Sequence, residues 1–88
     1  RLLGRARIAF LGPDAPGDEV LQRMLSAYLR HTSLAGLPSL CGLVRPGGPA
    51  MDRQAERWRE HRGDLAIICY DDEHALRFIT AMHKLGLG

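Results

Sequence analysis

Three short apolar runs, Ile8 to Leu11, Leu40 to Val44 and Leu65 to Cys69, alternate with longer stretches in which apolar residues return every three or four positions. Short runs bounded by charge, glycine or proline read as strands covered on both faces, whereas the longer period is that of an amphipathic helix. The first run lies between Arg7 and Gly12-Pro13, and the loop Gly12 to Gly17 follows it. From Asp18 the stripe Val20, Leu21, Met24, Leu25, Tyr28 and Leu29 predicts a helix. It should stop near Ala35, because Gly36 suits a left-handed cap and Pro38 cannot continue a helix. Arg45-Pro-Gly-Gly-Pro49 breaks the second run, after which Met51, Ala55 and Trp58 share one face of a short second helix closed by Arg62-Gly63. The third run leads into a third helix, Asp72 to Leu85, with Gly86 as its stop.

Strands alternating with helices at this spacing predict an α/β fold built on a parallel sheet with right-handed crossovers. The expected architecture is three-layered, Rossmann-like or flavodoxin-like, with strand order 2-1-3 and helices on both faces, which is half of a doubly wound domain. Eighty-eight residues suffice for one small core and no more. A three-stranded sheet leaves an open edge, so association between copies is expected. The opening Arg1-Leu2-Leu3, without an initiating Met, and the closing Gly-Leu-Gly read as cuts through a larger protein.

Composition changes this picture little. The formal net charge of +2 is too small and too dispersed for a nucleic-acid surface. Only Lys84 is lysine, and the preference for Arg is read as codon usage in a GC-rich genome. No stretch approaches the roughly 20 apolar residues that span a bilayer, and the N-terminus lacks the layout of a secretion signal, so no membrane partner and a cytoplasmic location are expected. Cys41 and Cys69 each fall within a predicted strand, and both are expected to be buried free thiols that pack as small hydrophobes.

In an open parallel sheet the carboxyl ends of the strands face the ligand crevice. That rule singles out Asp14 after the first strand, and Tyr70, Asp71 and Asp72 after the third. Aspartate at a helix start also caps backbone N–H groups and suits the helix dipole, so the acidic pair has a structural role available to it. The Gly12 to Gly17 loop matches neither a dinucleotide fingerprint nor a Walker A sequence, and is read as pocket lining. Asp14, Asp71 and Asp72 together raise a Mg²⁺-dependent receiver or phosphotransfer reading. No second acidic loop and no phosphate-loop Ser or Thr accompany them. His31, His61, His74 and His83 form no i, i+4 pair, and Ser26, Ser33 and Ser39 lie in no nucleophile elbow. The expectation is a protein without catalysis, resident metal or cofactor.

The run of apolar strand, Tyr70-Asp-Asp-Glu73, Ala75-Leu76 and a helix ending in Leu85-Gly-Leu87 resembles the effector-binding domain of LacI/GalR-type transcriptional regulators. Arg7-Ile-Ala-Phe-Leu-Gly12 is similar to that family's strand entering its C-terminal subdomain, and Ala27-Tyr28 with Leu34-Ala-Gly-Leu-Pro38 to its next helix and exit turn. The resemblance spans nearly the whole chain. It implies the C-terminal subdomain of a periplasmic-binding-protein-like I domain that binds a small-molecule effector, a sugar or related metabolite, between two lobes. It also implies a homodimer that reaches operator DNA only through a helix-turn-helix outside this chain.

At the family's effector contacts, the resemblance places Asp71 where many members carry Asn, with Tyr70 beside it to stack on a ligand. An ionised carboxylate accepts hydrogen bonds from hydroxyls or amines and donates none, which favours a polyol or a cation. The family's effector-binding Arg precedes a Gly-aromatic pair by three residues; here that position is Met24, and Arg23 stands one residue early. One residue is about 100° of helix rotation, so Arg23 points elsewhere and Met24 suits a less polar ligand or the core. The third helix is apolar beyond one stripe, and the resemblance puts Leu76, Ile79, Thr80 and His83 at the dimer interface; a wider intramolecular core is the alternative. Two other functions stay open: a lobe of a periplasmic sugar-binding transport receptor, and the Mg²⁺-dependent domain.

Overall fold

A computed structural model describes residues 7–45, 48–61 and 64–86. The chain runs β1 (Arg7–Gly12), α1 (Glu19–Ala35), β2 (Leu40–Leu43), α2 (Pro49–Trp58), a 3-10 turn (Arg59–His61), β3 (Leu65–Cys69) and α3 (Asp72–Lys84). The strands form one parallel sheet in the order β2-β1-β3, which is the α/β, Rossmann-like half expected from the period changes. The closing pair Arg62-Gly63 and the exit residue Leu87 lie outside the described residues.

Register assigns every strand residue to a face, because residues side by side in a parallel sheet project the same way. Phe10 lies between Cys41 and Ile68, and Leu11 between Gly42 and Cys69. α1 covers the Phe10 face, where Phe10, Leu21 and Tyr28 are buried with Ile8, Met24, Leu25 and Tyr70 against them. α2 and α3 cover the other face, closing over Ala9 and Leu11 with Met51, Ala55, Trp58, Phe78 and Ala81. Trp58 and Phe78 meet there with ring centroids 5.7 Å apart. Gly42 leaves room for this packing, since a Cβ on it would lie 2.7 Å from Cδ of the buried Gln54 on α2 and the Gln54 side chain would have to shift.

Local signals fix the helix ends. Asp18 caps α1 by accepting the Leu21 N–H at 3.1 Å. At the other end Gly36 adopts φ 71°, and the N–H groups of Gly36 and Leu37 return to the carbonyls of Ser33 and Thr32, satisfying acceptors that the helix leaves open. α3 ends one residue before the expected Leu85, which serves as its cap. β2 ends at Leu43, although the Val44 N–H still bonds the Gly12 carbonyl at 2.8 Å.

One expectation is corrected. Cys41 is exposed and Cys69 half-buried, rather than both being buried. A single helix lies over the Phe10 face and its side chains reach the central strand, so Cys41 and Leu43 on one outer strand and Ala66 and Ile68 on the other stay open to solvent. Among the described residues no helix is long and apolar enough to cross a membrane.

Candidate functional site

Because the strands are parallel, their carboxyl ends share one edge of the sheet, where the chain leaves β1 at Gly12, β2 at Leu43 and β3 at Cys69. Two backbone hydrogen bonds of 2.8 Å, Val44 N–H to Gly12 O and Tyr70 N–H to Leu11 O, hold these ends one residue beyond the strands. The polar side chains at this edge belong to two linked sets.

The first set centres on Asp71, the extended N-cap of α3. Its Oδ1 accepts the His74 backbone N–H at 2.8 Å and lies 2.7 Å from His74 Nδ1. The far nitrogen of the same ring, Nε2, lies 3.1 Å from the Val44 carbonyl, so His74 spans from the end of β3 to the end of β2. The imidazole is only 2 % exposed, while the Asp71 side chain is 42 % exposed. The His74 backbone N–H, and after it the ring, hold the Asp71 carboxyl below the usual carboxylate range. Asp71 thus stays an acceptor, with its second oxygen free of hydrogen bonds among the described residues.

The second set ties β3 to α1. Tyr70 Oη donates to Asp18 Oδ2 at 2.6 Å while Asp18 Oδ1 caps α1. The bond to Tyr70 is the main reason that the Asp18 carboxyl is lowered, and the bond to Asp18 the main reason that the Tyr70 phenol is raised. The Tyr70 ring also meets the His74 ring edge-on, with centroids 6.2 Å apart.

This pair has a testable pH signature. A carboxyl lowered by folding adds stability above its unfolded value of about 3.9 and loses it as pH falls through the folded value. A phenol raised by folding adds stability below about 10 and loses it as pH rises through its folded value. The melting temperature of Tyr70→Phe should therefore lie below that of the parent by a constant margin from about pH 5 to 9, and the margin should close at both extremes. A margin unchanged down to about pH 2 would mean that the bond does not form.

The other residues singled out in the sequence lie as follows. Asp14 is exposed in the loop after β1 and Asp72 is exposed in the first turn of α3. Met24 packs against the Phe10 cluster on the α1 side of the sheet, and Arg23 is exposed. Leu76, Ile79, Thr80 and His83 all lie exposed on α3, with Leu76 65 % and Ile79 52 % accessible. Asp18, His74 and the Val44 carbonyl join the strand ends unannounced by the sequence reading. The spacing Asp71-x-x-His74 was a usable signal for half of the clamp, because a cap side chain meets the third residue of its helix. Among the described residues no three His, Cys, Asp or Glu side chains come close enough to share a metal ion.

A cavity of about 530 Å³ lies elsewhere, between α1 and the open face of β1 and β3, lined by Ile8, Phe10, Met24, Tyr28, His31 and Ile68 among others. It is the uncovered part of the sheet, and its lining hydroxyls are engaged internally, Tyr28 with the strands and Thr32 with the Tyr28 carbonyl. The strand ends, by contrast, present a positioned carboxylate with an oxygen to spare, which is what orients a small polar ligand.

Comparison with curated proteins and with solved structures gives no significant match. The family model described as the periplasmic binding protein-like domain matches residues 2–88, in agreement with the sheet order. The chain belongs to the periplasmic binding protein-like domain family.

Proposed function

We propose that this chain is the C-terminal, effector-sensing and dimerisation subdomain of a LacI/GalR-like transcriptional regulator, with a helix-turn-helix carried elsewhere in the protein. The observation that supports this reading best is Asp71, an ionised acceptor fixed at the carboxyl edge of the sheet. A second lobe facing that edge would enclose a small molecule, and the ligand's better fit to the closed arrangement would shift the lobes and so the DNA-binding heads. Asp71 suits a ligand that donates, a polyol or an amine-bearing metabolite. In this reading the protein is cytoplasmic, performs no catalysis and needs no cofactor.

The full gene product should be retained on its operator DNA in a way that responds to one member of a polyol, sugar and amino-compound panel. Asp71→Ala should weaken that response about 10- to 100-fold, the loss of one charge-assisted hydrogen bond. Binding of the panel without any DNA retention, together with an export signal, would select the second reading, a lobe of a periplasmic transport receptor, which the family match favours equally.

In the regulator, Leu76 and Ile79, exposed on α3 beside Thr80 and His83, would form the dimer contact. Replacing Leu76 and Ile79 together with Asp should convert a dimer to a monomer in sedimentation. An unchanged dimer would place the interface elsewhere.

A further inference from the structure

We propose that His74 is a proton-dependent positioning residue of the crevice: as an imidazolium it ties Asp71 at the end of β3 to Val44 at the end of β2, and on deprotonation it lets the β2 side go. The proposal bears on ligand binding through the reading above, in which Asp71 meets the ligand.

The ring has an acceptor at each nitrogen. Nδ1 faces the Asp71 carboxylate at 2.7 Å and Nε2 the Val44 carbonyl at 3.1 Å. Neither partner can donate, and a neutral imidazole carries a single N–H. Only the imidazolium satisfies both contacts. When the ring loses its proton to solvent, the remaining hydrogen stays on Nδ1, where the carboxylate attracts it more strongly than an uncharged carbonyl does. The Nε2 lone pair then opposes the Val44 carbonyl, and the tie to β2 becomes a repulsion. At 2 % exposure the ring leaves little room for water to bridge the two.

The neighbouring groups do not compete for this role. From β3 and its exit, the Cys69 thiol and the Tyr70 phenol are both pushed up from already high values, and from α1 Asp18 is pushed down. On its own helix Asp71 is also lowered, while Asp72 and Glu73 are exposed. From β2 and its exit, among the described residues, the ring receives only a backbone carbonyl. Histidine is the one side chain in this cluster whose charge ordinarily changes between about pH 5 and 8. The His74–Asp71 pair would pass from neutral to singly negative, so the same proton sets both the position of the β2 exit and the charge at the crevice.

The test is a pH series of long-range ¹H–¹⁵N and amide spectra of the whole 88-residue chain, without ligand. At the acid end of the series both His74 nitrogens should give imidazolium signals, because both face acceptors. Towards the alkaline end the hydrogen should remain on Nδ1 alone, and the Val44 and Arg45 amides should change together with the ring signals. His74→Met should abolish the Val44 and Arg45 transitions. Should that variant not fold, Asp71→Asn, which keeps a capping oxygen but no charge, should shift them to lower pH. A His74 ring that stays neutral throughout, or transitions at Val44 and Arg45 that survive in His74→Met, would overturn the proposal. Because no effector enters this measurement, its failure leaves the sensor reading standing, and failure of the DNA and effector assays leaves the titration standing.

Discussion

Phe10→Ala is expected to remove most of the stability of this chain. Phe10 is fully buried in the central strand, packs on Leu21, and meets the Tyr28 ring at a centroid distance of 5.8 Å. Truncating such a side chain costs about 3–5 kcal/mol, because the transfer free energy is lost and the cavity only partly collapses. Small domains are stable by about 0.05–0.15 kcal/mol per residue, so the loss rivals the whole. Urea unfolding followed by circular dichroism should find the midpoint moved close to zero denaturant. Ile68→Ala is the internal control: Ile68 neighbours Phe10 on the same face but is 45 % exposed, and its truncation should cost under about 1 kcal/mol. Equal losses for the two variants would contradict the assignment of α1 to the centre of that face.

Tyr28→Phe should cost about 2 kcal/mol without a change of shape. The Tyr28 hydroxyl donates to the Ile8 carbonyl at 2.5 Å and accepts the Leu40 N–H at 2.8 Å, so it serves as a rung between the starts of β1 and β2. Phenylalanine keeps the ring against Phe10 and leaves both backbone groups unpaired, each in a place with limited access to water. Faster hydrogen exchange at the Leu40 amide, with the β1–β3 amides unaffected, would locate the loss. The variant should also be less sensitive to alkali. Burial is the main cause that raises the Tyr28 phenol, with the Leu40 N–H opposing it. A raised phenol stabilises the fold below its unfolded value of about 10 and ceases to do so as pH rises through the folded value. The parent should accordingly lose stability above about pH 10, and Tyr28→Phe should lose less.

These two tyrosine contacts and the His74 clamp share a property: each joins groups far apart in the chain. Tyr28 reaches Ile8 and Leu40 across 20 and 12 residues, Tyr70 reaches Asp18 across 52, and His74 reaches Val44 across 30. Nothing in the spacing of Tyr70 and Asp18 suggests a bond. It follows from strand register, which brings the end of β3 beside the start of α1. The exposure of Cys41 has the same origin. An apolar run shows that a segment belongs in a sheet, but the number of helices that cover each face decides whether an outer-strand residue is buried.

What the amino-acid sequence determined alone is the alternation of strand and helix, the parallel order 2-1-3, and the ends of α1 at Asp18 and Gly36. These rest on interactions within about four residues, on hydrophobic period and on the handedness of crossovers, all of which one chain carries locally. It also marked Asp71 as a strand-end carboxylate. Only the tertiary structure decided that Met24 packs with the Phe10 cluster, that the Tyr70 hydroxyl is already engaged by Asp18, and that a buried histidine grips Asp71 from behind. The physical reason is that a hydrogen bond depends on a few tenths of an ångström and on which face a residue occupies, and both are set when the strands come into register.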